Sequence, residues 1–463
     1  MTTVPTEVVD TVVIGLGPGG EAAANKLARA GRTVIGVEGH LVGGECPFYA
    51  CVPTKMMIRA ANTLAEARRI PLLAGTATVH PEWGKVAARI RDDATHDWHD
   101  TAAVRRLTES GARVVRGWGR LTGPGEVTVD TGNGGTRFVA ESAIVLGPGA
   151  DPVVPRIPGL ARAGYWTSRD AAAATELPAS LLILGGGPVA CEFAQIFARF
   201  GCAVTMLVRS RLLSREEPEA GAVLAEVFAD EGIRVRTGVS AVRADHSEHG
   251  VTLLLSDGDA VRAERLLLAT GRRPDLAALG VGAIGLDDRA ATVPVDDRMR
   301  AADRVWAVGD VTGHGAYTHV ALYQSRIAVH DILGYDGERA DYRAVPRVIF
   351  TDPEVGAVGV TEAQARDAGT PILIGCSSVA SSARGWIHRA GNEGLIKLIA
   401  DRFDEQLIGA TSVGPAGGEV LSALALAVHA RVPLEQLRSL IYPYPTFQGA
   451  IAAALRDLEK ADM

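Results

Sequence analysis

In 463 residues there are only five cysteines, and aromatic side chains number 6 Trp, 8 Tyr and 9 Phe. So few cysteines over such a length exclude a disulfide scaffold. Cationic surplus is absent as well: 47 Lys and Arg stand against 54 Asp and Glu, for a formal net charge of −7. A general electrostatic drive toward nucleic acid or anionic lipid is therefore excluded. The longest apolar runs, at 142–149 and 421–428, fall well short of the roughly 20 residues needed to span a bilayer, so no membrane helix is expected. The first residues, Met1-Thr2-Thr3-Val4-Pro5, lack a basic stretch followed by an apolar one, and the cytoplasm is the expected compartment. What is plentiful is glycine, 53 residues, more than all aromatics together. With 47% hydrophobic and 22% charged residues, this is a folded chain rich in tight backbone turns. A prior of roughly 150 residues per domain gives two or three domains.

Many of the glycines cluster in two places. Residues 10–15 (DTVVIG) form a β-branched run leading into Gly15-Leu16-Gly17-Pro18-Gly19-Gly20, followed by helix-forming residues 21–30. A second strand over 33–37 ends at Glu38, near the roughly 20-residue spacing at which a dinucleotide fold places its ribose-binding acid. The pattern recurs: 181–184 runs into Gly185-Gly186-Gly187-Pro188-Val189-Ala190, then a helix over 191–200 and a strand over 203–208. In such turns glycines let the backbone close on a pyrophosphate, whose charge is met by the helix start. Gly15, Gly17 and Gly20 in the first turn, and Gly185, Gly187 and Ala190 in the second, are the candidate contacts.

The strand ends differ. Glu38 can accept both hydrogen bonds of an unphosphorylated ribose diol, as the adenosine of FAD presents it. The corresponding place after the second turn is Arg209, with Arg211 and Arg215 close behind. Guanidinium groups chelate a 2′-phosphate that a carboxylate would repel, which favours NADPH over NADH; a solvated basic loop is the plain alternative. Past about residue 343 no further glycine fingerprint occurs. Strands at 347–350 and 394–400 and helices over 418–430 and 446–458 read as a domain without a nucleotide, and 122–135 as a hairpin excursion.

Shortly after Glu38 comes Gly43-Gly44-Glu45-Cys46-Pro47-Phe48-Tyr49-Ala50-Cys51-Val52-Pro53-Thr54-Lys55. A CxxxxC segment opening a helix brings two sulfurs within one turn if that turn is distorted, and the helix start favours thiolate. A redox pair is the preferred reading over a structural disulfide, and a zinc site lacks a second ligand pair.

With these residues the chain resembles the FAD-dependent pyridine nucleotide disulfide oxidoreductases, the family of glutathione reductase, lipoamide dehydrogenase and mercuric reductase. Also matching are Ala269-Thr270-Gly271-Arg272-Arg273-Pro274, the segment 305–310 ending Gly309-Asp310, Thr318-His319-Val320-Ala321, and Phe350-Thr351-Asp352-Pro353-Glu354-Val355. The resemblance implies an α/β fold with two Rossmann-like dinucleotide-binding domains and an α+β dimerisation domain. It divides the chain into an FAD-binding domain (1–152 and 273–342), an NAD(P)H-binding domain (153–272) and a dimerisation domain (343–463), and implies a homodimer acting on a small-molecule electron acceptor.

By the same resemblance Cys51 is the thiol nearer the flavin, Cys46 the thiol facing substrate, and Lys55 with Glu192 the ion pair beside the flavin's reactive nitrogen. Asp310, next to Gly309, binds the ribityl chain, and the backbone at Gly119 meets the adenine. Gly44, Gly271 and His319 belong to the cofactor-binding set, His319 as a packing or hydrogen-bonding group. Disulfide reductases of the family carry a His-x-His-Pro-Thr-x-x-Glu segment, whose second His is the thiol base. Here the stretch reads Tyr442-Pro443-Tyr444-Pro445-Thr446-Phe447-Gln448-Gly449, placing Tyr444 at the His and Gly449 at the Glu. A tyrosine, with an ordinary pKa near 10, donates a proton rather than shuttling one at neutral pH. The expectation is an acceptor other than lipoamide or glutathione disulfide: a quinone, a conjugated carbonyl or an unusual disulfide. Alternatives are quinone reduction directly from FAD, a mercuric-reductase-like activity, and a non-catalytic FAD-binding subunit. The loop from Arg209 is similar to mercuric reductase, but the terminal Glu459-Lys460-Ala461-Asp462-Met463 lacks that enzyme's cysteine pair. Phe48 and Tyr49 are expected to widen an apolar pocket beside Cys46 or, for Phe48, to pack. Cys191, Cys202 and Cys376 are read as small core residues.

Overall fold

The computed structural model describes residues 5–132, 134–248 and 250–460; the outermost terminal residues considered above, Met1–Val4 and 461–463, lie outside them. The chain divides into two compact units, and the division falls within the helix Cys51–Leu73. One unit comprises the residues up to Pro53 with Ala88–Val153 and Arg272–Tyr342; the other comprises Thr54–Ala87, Val154–Gly271 and the residues from Arg343 onward.

The first unit is built on an eight-stranded sheet whose parallel centre runs Val305–Ala307, Gly135–Leu146, Thr6–Ile14, Val34–Glu38, Arg113–Arg116. The β-branched run that suggested a strand is buried from both sides: Val12 and Val13 are fully covered, one on each face. Helices Pro18–Arg29 and Thr318–Ile332 cover one face, the former through Ala23, Ala24, Leu27 and Ala28. The excursion expected at 122–135 is an antiparallel meander, Trp118–Gly123 with Glu126–Asp130 and the start of Gly135–Leu146. Asp151–Pro152 pairs with Arg272–Arg273 where the chain leaves this unit and returns.

The second unit holds a four-stranded parallel sheet (Arg234–Thr237, Ala203–Val208, Ser180–Leu184, Arg265–Leu268) and a three-stranded antiparallel one. It also holds a five-stranded antiparallel sheet, ordered Arg347–Ile349, Glu354–Gly359, Gln406–Gly414, Leu395–Asp401, Ile372–Ser378. Helices Gly417–His429 and Gly449–Lys460 pack their Leu and Ala faces on that sheet. Both helices after the glycine turns start earlier than the sequence suggested, at Pro18 and Pro188, because proline at the first helical position has no N–H to leave unsatisfied. The last helix starts later than expected, at Gly449 rather than 446, after the prolines at 443 and 445. Among the described residues no helix is long and apolar enough to cross a membrane.

Candidate active site

In the first unit the glycine turn assigns each glycine a separate task. Gly15 has φ +87°, and a Cβ there would lie 2.2 Å from the Gly147 carbonyl oxygen. At Gly20 a Cβ would lie 1.9 Å from the carbonyl oxygen of Gly15, so helix and strand touch through bare backbone. Gly17, the N-cap of helix Pro18–Arg29, is the opposite case: nothing lies within 4 Å of its would-be Cβ, and no side chain caps the helix. Open space beside uncapped helix N–H groups is what a bound pyrophosphate requires. Glu38, at the end of its strand, accepts from the Leu16 N–H at 2.7 Å and the His40 N–H at 2.8 Å, so it faces this turn. Gly119 lets the meander strand lie against Ile14 and Val37, whose side chains a Cβ would meet at 3.1 and 3.2 Å.

The cysteine segment is fastened to the same turn. Gly43 donates its N–H to the Leu16 carbonyl at 2.7 Å, and a Cβ on Gly44 (φ +67°) would come within 2.8 Å of the Gly17 Cα. The distortion expected between the cysteines is a break: Cys46 lies in the short helix Glu45–Phe48, and Cys51 opens Cys51–Leu73. Cys51 Sγ is 3.5 Å from Thr318 Oγ1, the first residue of Thr318–Ile332, so that sulfur stands at the start of two helices, where partial positive charge favours an anion. Phe48 is buried and packs rather than lining a pocket. Tyr49 is half-buried and stacks on Trp98, which the sequence did not single out.

Asp310 sits in the turn Gly309–Thr312, which Gln324 pins by accepting from the Gly309 N–H at 2.7 Å and donating to Thr312 Oγ1 at 2.9 Å. Burial pushes the Asp310 carboxyl above the usual carboxylate range, with Arg272 pulling the other way. A polar group so placed gains from hydroxyl donors such as a ribityl chain supplies. Arg272 also reaches Glu45 at 3.4 Å. His319 is exposed, its ring stacked on Tyr317.

The second unit repeats the turn. A Cβ on Gly185 (φ +141°) would meet the Ala269 carbonyl oxygen at 2.3 Å, while nothing lies within 4 Å of one on Gly187, again the N-cap of its helix. Ala190 is fully buried in helix Pro188–Phe200. Gly271 has φ +116° with open space around it. The arginines divide: Arg211 donates to the carbonyls of Leu212, Leu213, Ser214 and Glu216, building its own loop, whereas Arg209 and Arg215 are exposed and have no partner among the described residues.

Helix Pro188–Phe200 also carries Glu192, buried, whose carboxylate accepts from Lys55 Nζ at 2.8 and 3.1 Å and from the Phe350 N–H at 2.9 Å. Lys55 Nζ lies 4.7 Å from the centre of the Phe350 ring, so the ammonium is held from two sides. The Phe350–Asp352 segment is knitted to the helix further along. Gln195 exchanges two hydrogen bonds with the Asp352 backbone at 2.7 Å each, and Arg199 and Arg69 both reach the Asp352 carboxylate at 2.8 Å. Sequence reasoning missed Gln195, Arg199 and Arg69.

Tyr444 is 85% exposed, and nothing lies within 4 Å of a Cβ on Gly449. Tyr442 packs on the helices and donates its hydroxyl to the Leu437 carbonyl at 3.1 Å. Of the three remaining cysteines, Cys191 and Cys202 are core residues, and burial pushes the Cys202 thiol up to about 12. Cys376 is not core: it is exposed on strand Ile372–Ser378, because neighbouring positions of a strand point to opposite faces and Gly375 takes the covered one.

Residues 9–325 match the family described as pyridine nucleotide-disulphide oxidoreductase, and 345–455 match its dimerisation domain. A mercuric reductase of Streptomyces lividans is 36% identical, covering 96% of this chain and 95% of that one. A dihydrolipoyl dehydrogenase of Thermus scotoductus is 31% identical over 97% of both. The HOCl-induced flavoprotein disulfide reductase RclA of Escherichia coli, solved as a Cu(II) complex, superposes with a TM-score of 0.84 at 28% identity, covering 98% of this chain and 99% of that one. With both family regions matched and the nucleotide turns in place, the chain belongs to the pyridine nucleotide-disulphide oxidoreductases, flavoprotein enzymes that are FAD-dependent and use a pyridine nucleotide.

Proposed function

We propose that the protein is an NADPH-dependent reductase that passes electrons through FAD to a Cys46–Cys51 disulfide and on to a small acceptor lacking the usual disulfide chemistry, such as a quinone or conjugated carbonyl. The observation that carries it is Cys51 Sγ at the start of two helices, on a segment fastened to the first glycine turn. FAD, when bound, relays the electron pair of a hydride from the nicotinamide to the disulfide. The first turn, with Gly15, Gly17, Gly20, Gly44 and Glu38, would hold its adenosine diphosphate, with Gly119 at the adenine and Asp310 at the ribityl hydroxyls. The second turn would hold the pyrophosphate of NADPH, and Arg209 and Arg215 its 2′-phosphate. Lys55, fixed by Glu192, supplies a positive charge against negative charge arriving with the electrons.

A homodimer is part of the reading. The family's dimerisation domain supports it, as do the exposed apolar side chains Trp386 (79%), Leu426 (64%) and Ile441 (92%) on that domain. Tyr444 would then be a proton donor to a reduced oxygen acceptor rather than a thiol base.

Anaerobic reduction by NADPH of wild type, Cys46→Ser and Cys51→Ser, followed by addition of quinones, disulfides and Hg(II), tests it. Long-wavelength absorbance that depends on Cys51, with quinone turnover lost in Cys46→Ser, is expected. Full turnover in both variants leaves only direct reduction from FAD, and turnover confined to Hg(II) leaves the mercuric-reductase-like reading. Tyr444→Phe should lower turnover by about a hundredfold or more, the usual share of a general acid, without slowing flavin reduction.

A further inference from the structure

One buried charge cluster has no place in the chemistry above. Lys397, on strand Leu395–Asp401 of the five-stranded sheet, is 1% exposed, and its ammonium lies 2.8 Å from each of Glu217, Glu219 and Glu362. All three N–H donors are thereby used. Burial alone would lower the ammonium's pKa; the three carboxylates overcome this and hold it above the ordinary lysine value. Glu217, itself 1% exposed, also accepts from the Glu362 N–H at 2.6 Å and is the N-cap residue of helix Pro218–Asp230. The residue before it, Glu216, is gripped by Arg347 of the same sheet through Nε at 2.8 and 2.9 Å.

These two glutamates end the loop that carries Arg209 and Arg215. Its middle is tied to the nucleotide turn, Leu213 donating its N–H to the Gly186 carbonyl at 2.7 Å, and Arg211 spans from there to the Glu216 carbonyl. The loop is therefore held at its middle by the glycine turn and at its far end by the dimerisation-domain sheet, with Arg215 displayed between these ties and Arg209 ahead of the first, neither guanidinium partnered among the described residues. We propose that Lys397 and Arg347 are positioning residues for nucleotide selectivity: through Glu217 and Glu216 the dimerisation domain fixes the Arg215 side of the loop whose arginines would recognise the 2′-phosphate of NADPH.

The inference rests on the NADPH reading. Without Lys397, Glu217 would be a buried carboxylate facing two others, and the chain would move to expose it. The shift would fall on the Arg215 side of the loop, while the Leu213 tie keeps the pyrophosphate turn in place. NADPH binding should suffer and NADH binding should not.

The test measures KM for NADPH and NADH, and the dependence of anaerobic flavin reduction on each, in full-length flavin-bound Lys397→Met, Arg347→Met and Arg209→Ala/Arg215→Ala. In Lys397→Met the KM for NADPH should rise about tenfold, the weight of one charge-assisted phosphate contact, with the NADH value unchanged. Equal rises for both nucleotides, or none, in flavin-bound protein would overturn the proposal. If Lys397→Met fails to fold, Arg347→Met, which releases Glu216 alone, decides by the same ratio. Selectivity lost in the double arginine variant but kept in the Lys397 and Arg347 variants removes the clamp and leaves the NADPH reading standing; selectivity kept in all three removes both.

Discussion

The two glycine turns follow one plan, and they differ where their surroundings differ. In both, the first glycine is forced by a positive φ and a neighbouring carbonyl, and the glycine at the helix N-cap stands in open space. The third position separates them: Gly20 is pressed on Gly15, whereas Ala190 fits its helix fully buried. The strand ends separate them again, since Glu38 is tied into its own turn by two backbone N–H groups while Arg209 stands clear. The comparison teaches that some fingerprint glycines serve the protein's own packing and others leave room for a ligand, and that substitution will distinguish the two kinds.

The largest effect should come from Gly20→Ala. A methyl 1.9 Å from the Gly15 oxygen cannot be accommodated without moving helix or strand, which costs about 1–3 kcal/mol or more. The expected product is flavin-poor protein with a lowered melting temperature, read from the ratio of flavin to protein absorbance. A variant with full flavin content and wild-type stability would mean that the two turns are not packed differently at all. Gly17→Ala and Gly187→Ala should behave otherwise. Each residue has an ordinary N-cap backbone and space for the methyl, so stability should stay within about 0.5 kcal/mol. Flavin affinity should nevertheless fall at least about tenfold in the first, and KM for NADPH and NADH should rise together in the second, as a displaced pyrophosphate demands. Lowered stability with unaltered ligand binding would reverse the assignment.

Asp310 sharpens the contrast from the side of charge, for it stands ready for a donor where Glu38 already has two. Its folded pKa is raised, so ionisation opposes folding: the penalty is absent below the unfolded value near 3.9 and grows as pH rises through the folded value. Asp310→Asn should therefore stabilise the flavin-free protein at pH 7, with the gain disappearing as pH falls toward 4, and should weaken flavin binding. Thermal melts of both flavin-free proteins across pH check this; a gain independent of pH would show that packing, not charge, is responsible.

Both turns, the strand over 203–208 and the ordered set of family segments were legible because they are local: a β-branched run, a glycine turn and a helix lie within some 30 residues. Helix starts were placed three residues late in both turns, where proline occupies the first helical position. The clamp was invisible for a different reason. Glu217 and Lys397 are 180 residues apart, and neither carries a spacing that marks it. Phe48 misled because an aromatic beside a reactive cysteine reads equally well as pocket wall or core, and only burial decides.

The smallest expected effect closes the comparison. Ala190→Gly restores the commoner third glycine, and it should cost only about 1 kcal/mol, from the added freedom of glycine in a helix and the loss of one buried methyl. Equilibrium denaturation would measure it, and on the NADPH reading proposed above nucleotide selectivity should not change, because Arg209 and Arg215, rather than the turn, would read the 2′-phosphate. If instead Ala190→Gly tightened NADPH and NADH alike, the alanine methyl would be holding the helix off the ligand. The third position would then belong with Gly17 and Gly187 among the sites that face the cofactor, and not with Gly20.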